Sequence, residues 1–511
     1  MSGDRPVVRR LMDEPDPAAV LAAFPPVTRP VLFDSALRDA CRGRFSFFSA
    51  DPLLLVRWRR VREGDQPFGP LRPLTRWIDH WPRAEGLGGF QGGLAGVLSY
   101  ELGGNFETIP RAGIDEYRLP DLVIGLYDWA VVWDHDTGGC WFTAQRLAAD
   151  SFADVVRRVE RAAAGNGEVQ VCAAEPPSPE RRYRSLLDRL CEVKGREPGR
   201  ADTAERPGAS IPPAIRRPVP VAAIRALGGT SDFSREEYLR AVERVLEWIR
   251  AGDIFQANLS QRLVFPFGGS LVELYRRLRA CNPAPFAGFF ADEDWAILSA
   301  SPERFIRCAG GVVQTRPIKG TRPRGTGPEA DLIYEEELRR SAKDAAENVM
   351  IVDLLRNDLS RVCRPGSIRV TELCAVERYQ TVQHLVSTVE GELAGGRDVW
   401  DLLTAALPGG SISGAPKIRA QQIIAELEPT VRGPYCGNLV YYGPQGTFDS
   451  NILIRTFVWR SGHLQCAVGG GVVIDSDPQS EYYETLAKAE GMIRALRAAV
   501  GEASPEAIRG G

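Results

Sequence analysis

Apolar and small polar residues alternate over 43–48, after a short apolar run at 30–35, and this predicts two strands joined by a turn. From 119 to 135 most positions are apolar, which predicts a pair of buried strands with His135 at the end of the second. A glycine-rich segment at 88–100 ends in an apolar run and reads as close packing of backbones. After Glu160 the pattern dissolves. Residues 165–230 are rich in Pro, Arg, Glu, Ala and Gly, only 183–193 has a helical pattern, and the stretch reads as a partly disordered linker. Order returns at Ser231. Ser234 followed by Glu237 predicts a capped helix with Tyr238, Val242, Val245 and Ile249 as its stripe. Residues 252–262 turn into a strand whose alternate residues Gln256, Asn258 and Ser260 share one face. That polar row is either the lining of a cleft or a solvent-facing edge.

A helix at 270–281 and strands near 286–290 and 296–298 follow, and two later helices carry acids. Residues 334–358 are expected to form one long helix, with Asp344, Glu347, Ile351 and Leu354 on one face. Carboxylates that continue an apolar stripe need a cation, either Mg²⁺ with its waters or an arginine. The last helix starts at Pro478, and Tyr482, Leu486, Ala489, Ile493 and Leu496 make its core stripe. Glu481, Glu484 and Lys488 run beside that stripe and read as a surface ion-pair ladder. The organisation expected is an amino-terminal region 1–160, a linker 161–230, a main region 231–500 and a tail 501–511.

Composition narrows the class. With 44% hydrophobic and 25% charged residues the chain is an ordinary globular one, and a net charge of -3 argues against nucleic acid as its main partner. No apolar run reaches membrane-spanning length, and the charged start lacks a signal-peptide core. The ten cysteines are scattered without a C-x-x-C pair, and only four histidines are present. A reduced, cytoplasmic protein without structural zinc or membrane is expected.

Candidate chemistry centres on the stretch 315–325, where Arg316, Lys319, Arg322 and Arg324 lie among Pro317, Gly320, Pro323 and Gly325. Neighbouring positive charge and partial desolvation would lower the lysine pKa and make Lys319 a nucleophile. The alternative is a basic loop that is solvated or paired with acids. Two glycine runs, 468–472 and 408–417, precede helices and could hold an anion on backbone N–H groups. His384 is either an acid/base or a satisfied core histidine, and Arg455, at the end of an apolar strand, needs an anion if buried. Residue pattern thus reaches a cleft for a small polyanion with two acidic helices and a lysine.

The set Asp253-Ile254-Phe255-Gln256, Ser301-Pro302-Glu303-Arg304-Phe305, Pro317-Ile318-Lys319-Gly320-Thr321, the run from Glu347 to Asp358, Gly409 to Lys417 and Ile454-Arg455-Thr456 resembles the chorismate-utilising enzymes. The resemblance is dense from 231 to 495 and collinear but weaker from 30 to 150. It implies an α+β fold of two interleaved halves, with two packed, mostly antiparallel sheets and helices outside. Lys319 stands where anthranilate synthases usually have Ala and aminodeoxychorismate synthases Lys. With Asn258 and Gly409-Gly410-Ser411 it implies the aminodeoxychorismate branch. Gln256 stands where isochorismate synthases usually have Lys.

The resemblance implies that Lys319 adds to C2 of chorismate as the C4 hydroxyl leaves, with Glu303 as general acid and His384 beside the ring. Ammonia then adds at C4 and expels the lysine. Glu347 and Glu484 would bind Mg²⁺, which holds a chorismate carboxylate. Arg455, Tyr441 and the backbone of Gly470 and Gly471 would hold the carboxylates, with Ser411, Thr321 and Lys488 nearby. Val440 departs from the Gly usual before Tyr441. Some relatives bind tryptophan in the amino-terminal half, and Ser35 and residues 125–129 are candidates for such a pocket. No G-x-C-x-G glutaminase elbow is present, so ammonia is expected from a separate glutamine amidotransferase subunit. The short tail leaves no room for a lyase domain, so the product should keep its pyruvyl group. The rivals are an anthranilate synthase, a non-catalytic chorismate- or anion-binding protein, and a nucleic-acid module built on the arginine-rich loop.

Overall fold

Strands form where the alternation and the long apolar runs stand, and they assemble into two large antiparallel sheets. The computed structural model describes residues 5–37, 43–163, 167–194, 215–324, 327–378 and 382–501. Among the described residues one sheet has 13 strands and the other 11, and amino-terminal strands enter both. Val31–Asp34 lies between Phe45–Ser49 and Phe286–Asp292 in the first. Gly93–Leu98 lies between Leu122–Tyr127 and Asn438–Gly443 in the second. The two parts of the chain are therefore interleaved, not set side by side. The sheets meet over a core that takes Val31, Phe47, Phe290 and Ile297 from one and Leu55, Val97, Leu439 and Tyr441 from the other. Helices cover the outer faces, Leu271–Cys281 and Pro478–Ala499 on the first sheet, Leu71–Ile78, Ala342–Ser360 and Val399–Ala406 on the second. The expected α+β architecture is what forms.

Three local expectations take a more definite form. The run at 119–135 forms the two buried strands expected, Leu122–Tyr127 and Trp129–Asp134, in different sheets. The chain crosses over at buried Asp128, whose carboxylate takes a 2.7 Å hydrogen bond from Arg182. Arg182 itself comes from the expected linker, which supplies the helix expected at 183–193, running Pro179–Lys194, and also a strand not expected, Glu168–Val171 beside Leu54–Trp58. Residues 195–214 of that stretch, and 502–511 of the tail, lie outside the described residues. The single helix expected at 334–358 is two, Pro328–Arg340 and Ala342–Ser360. Ser341 leaves helical geometry at ψ 98°, and its hydroxyl accepts from the Asp344 amide at 3.2 Å, a cap that starts the second helix.

The strand Gln256–Pro266 runs between His463–Val472 and the short pieces Thr230–Ser231 and Gly414–Ala415. Gln256, Asn258 and Ser260 are all buried, so the polar row lines an interior rather than a solvent-facing edge. Arg432 braces this strand from behind. Its guanidinium donates to Glu428 at 2.7 Å, to the Ile412 carbonyl at 2.9 Å and to the Asn258 carbonyl. Glu428 in turn accepts from the Ser260 amide and hydroxyl, both at 2.8 Å. Arg432→Met would leave Glu428 buried without its cation. The expected cost is about 3–5 kcal/mol, the range for breaking a buried pair, read as a lower denaturant midpoint at unchanged slope.

Candidate active site

The basic stretch is a strand, Ile318–Pro323, paired with Val382–Glu392. Its register slips between Lys319 and Thr321 because Gly320 is an extra residue at φ 75°. A Cβ there would stand 2.8 Å from Leu338 and 2.9 Å from Asp344, so the bulge needs glycine in both conformation and space. Three of the four cations have carboxylate partners: Arg316 with Glu377 and Glu372, Arg322 with Asp344 at 3.1 Å, Arg324 with Asp331 at 2.9 Å. Lys319 is the fourth. It is half-buried, and burial pushes its ammonium below the ordinary range, opposed by the charges of Glu347 and Glu303 and helped by Lys488. Of the two causes expected, desolvation is the larger, and the neighbouring cation is Lys488, not a loop arginine.

Glu303 sits in the turn between Trp295–Ser301 and Arg304–Ala309. Burial raises its carboxyl to about 7, against a hydrogen bond from Ser411, the charge of Lys319 and the Ile318 amide. The Ser411 hydroxyl donates to it at 2.8 Å. The amide that reaches Glu303 belongs to the residue before Lys319, so acid and lysine are placed by the same backbone. A neighbouring turn carries Arg455, and the Ile452 amide on the Glu303 carbonyl and the Ala300 amide on the Arg455 carbonyl, each at 3.0 Å, stitch the two turns together.

The acidic helices meet at this lysine. Burial raises the carboxyl of Glu347, with Asp344 and Glu484 adding to the rise and Lys319 and Lys343 opposing it. Glu484 pairs with Lys488 at 2.7 Å, which is the ladder expected of that helix. Glu481 departs from it: it is buried, accepts a hydrogen bond from Ser476 at 2.6 Å, and is raised by burial and by Glu484. Gly470 makes this possible, since a Cβ there would stand 3.0 Å from the Glu481 carboxylate. The charge of Glu484 thus disfavours the charged forms of both Glu347 and Glu481, and hard carboxylate oxygens of this kind suit a divalent cation. Among the described residues no group of three acidic, His or Cys side chains is arranged to hold a metal by itself. Such a set fits Mg²⁺, which keeps waters and shares its ligands with a substrate anion.

The glycine run at 468–472 is not a loop before a helix but the end of the strand His463–Val472. Its pairing with Thr456–Arg460 stops at Cys466, while pairing with 256–266 continues to Val472. Alternate N–H groups of Gly469–Val472 therefore point away from that partner. The run at 408–417 is likewise structural, a turn at Gly410–Ile412, a strand Gly414–Ala415 and a helix from Lys417.

Arg455 lies at φ 51°, half-buried, with a 3.5 Å contact to the Asn282 side chain. Burial lowers its pKa, with no carboxylate opposing it, so the guanidinium calls for an anion. Lys488 is beside Gly469, whose carbonyl its ammonium reaches at 3.0 Å. His384 Nδ1 and Thr321 Oγ1 are 2.9 Å apart across the bulge. Tyr441 is not brought to Lys319. Its ring packs in the core between the sheets, 5.0 Å from Phe33 and 5.7 Å from Phe47 and Phe90, and the charges acting on its phenol are Asp449, Arg304, Arg307 and Arg83. The Ser35 hydroxyl donates to the Phe45 carbonyl at 2.8 Å, and Tyr127 and Trp129 are core residues that donate to the carbonyls of Arg29 and Ala50. Gln256, from the polar row offered as a cleft lining, has its side-chain oxygen and nitrogen buried without a partner beside Gly471. Sequence reasoning gave no role to Asn348, which holds Ser387 and the Leu385 carbonyl next to Lys319 in the sheet.

A model of the family described as chorismate binding enzyme matches residues 65–494. Aminodeoxychorismate synthase component 1 of Salmonella typhimurium is 38% identical over 465 residues, 89% of this chain and 90% of that one. Anthranilate synthase component 1 of Streptomyces coelicolor is 40% identical over 433 residues, 84% of this chain and 78% of that one. The crystal structure of anthranilate synthase component I from Streptococcus pneumoniae superposes with a TM-score of 0.68 at 28% identity, covering 89% of this chain and 94% of that one.

Proposed function

The chain belongs to the family of chorismate binding enzymes, and we propose that within it the chain is the component I subunit of an aminodeoxychorismate synthase. It would convert chorismate and ammonia to 4-amino-4-deoxychorismate for 4-aminobenzoate and folate synthesis. The two branches are matched at similar identity, so overall similarity does not choose between them. The observation that carries the choice is Lys319, a lysine turned towards its neutral form by burial and set against the raised carboxyl of Glu303. That is the pairing needed to attack C2 while protonating the departing C4 hydroxyl. Arg455 and the outward N–H groups of Gly469–Val472 offer the substrate carboxylates their partners, and His384 is proposed beside the ring. Ammonia is proposed to come from a separate glutamine amidotransferase, with cytoplasm as the compartment.

Glu347 and Glu484 would hold Mg²⁺, which when bound supplies positive charge to a substrate carboxylate. Chelation should abolish turnover and added Mg²⁺ should restore it. Glu347→Gln should raise the Mg²⁺ concentration at half-maximal rate by roughly 10- to 100-fold, a span borrowed from metal-site mutations. A rate indifferent to chelator would remove the metal from the proposal.

The deciding experiment is product analysis with chorismate, Mg²⁺ and an ammonium salt. Aminodeoxychorismate without pyruvate is expected. The second reading, favoured by the 40% identity to the Streptomyces coelicolor protein, is an anthranilate synthase; fluorescent anthranilate plus pyruvate would establish it and make Lys319 a bystander.

A further inference from the structure

Ser411 reaches Glu303 from the segment 407–416, and one buried ammonium ties both ends of that segment. Lys417 opens the helix Lys417–Leu427, and its Nζ donates at 2.9 Å to the carbonyl of Ala406, the last residue of Val399–Ala406. The same Nζ lies 2.5 Å from a carboxylate oxygen of Asp358, near the end of Ala342–Ser360. The two side chains are only 12% and 6% exposed. Between its anchors the segment rests on that same helix. A Cβ on Gly410 would stand 2.6 Å from Leu354, one turn before Asp358. An exposed pair would hold little, whereas a desolvated pair with a second, directional bond to a carbonyl has a single good geometry.

We propose that Lys417 and Asp358 are positioning residues, clasping both ends of 407–416 to the helix that carries Glu347 and so setting the Ser411 hydroxyl on Glu303. The role rests on Glu303 acting as the acid in the reaction proposed above, but the first test needs no turnover. The groups that face Glu303 are the Lys319 ammonium, the Ser411 hydroxyl and the Ile318 amide, and the Cys436 thiol is near enough to feel its charge.

The carboxyl band of Glu303 is followed by infrared titration of the intact chain, with Glu303→Gln as the blank. The parent should titrate near about 7. Ser411→Ala removes a bond that favours the charged form, so its midpoint moves up. Lys417→Met strands a buried carboxylate, so the clasp is also removed as Asp358→Leu with Lys417→Met, which leaves no unpaired charge. Either folded variant should move the midpoint up as far as Ser411→Ala does, and add nothing in its background. With chorismate and ammonium, kcat should fall about tenfold for each and about tenfold for the combination, the scale of one hydrogen bond to a charged group. A folded clasp variant that titrates like the parent, or whose effect multiplies with that of Ser411→Ala, overturns the proposal. So does loss of the fold in both clasp variants, which assigns the pair to stability alone. A parent protein that never consumes chorismate would sink the proposed function and leave the titration to decide the clasp.

Discussion

Lys319→Ala is expected to lower amination of chorismate on the order of a thousandfold or more, the scale on which removal of a covalent nucleophile is felt. In the proposed reaction the lysine would form the N–C2 bond as the C4–O bond breaks, and the oxygen would leave as water after taking the proton of Glu303. Ammonia would then bond to C4 as the C2–N bond opens. Without ammonia the intermediate should accumulate on the parent protein, visible as an intact mass increased by chorismate less one water, and be absent from the variant. Lys319→Arg separates nucleophile from charge. It keeps a cation between Glu347 and Glu303, which both act on this site, yet a guanidinium is too basic to attack. It should be as inactive as the alanine variant. If Lys319→Arg aminated chorismate normally, the lysine would be a counterion and the adduct would be wrong.

How much of this was legible before the fold depended on whether a residue's partners were near it in sequence. The helix Pro478–Ala499 was readable whole, because Pro478 marks its start and Tyr482, Ala489, Ile493 and Leu496, all buried, repeat at its period. Ser234 and Glu237 form the expected capping box for the same reason. The break at Ser341 was missed because the residues on either side of it favour helix, and a single capping hydroxyl outweighs them. Glu481 was placed on a surface ladder; what buries it is the missing Cβ of Gly470, eleven residues away and in another element. The arginines around Lys319 were open to two readings, cations that lower its pKa or a basic loop solvated or paired with acids, and Glu377, Asp344 and Asp331 supply the acids. Motif resemblance put Tyr441 on the substrate, and the strand's alternation turns its ring into the inter-sheet core instead. Helix and strand periods are local and survive in one sequence. The surroundings of Lys319 are assembled from segments near 303, 347 and 484, and no period records that.

Glu303→Gln should lower turnover by about 10²–10⁴-fold, the usual worth of a general acid, and should also change the shape of the pH profile. In the proposed reaction the reactive state of the parent would carry one proton on Glu303 and none on Lys319, which is the same proton count as the ion pair of the two. Rate should therefore rise with pH as the doubly protonated form loses a proton and fall as the singly protonated form loses its own. Both limbs belong to the coupled pair, not to either residue. Burial has pushed the carboxyl up to about 7 and the ammonium down, which narrows the gap and populates the reactive arrangement near neutrality. Glutamine cannot give up a proton, and it also removes a negative charge that was holding the Lys319 ammonium up. The remaining rate should rise through a single lysine titration, at lower pH than a lysine facing Glu303 would show, and then stay level. A variant that kept both limbs would place the acid elsewhere, and His384 would be the first group to replace.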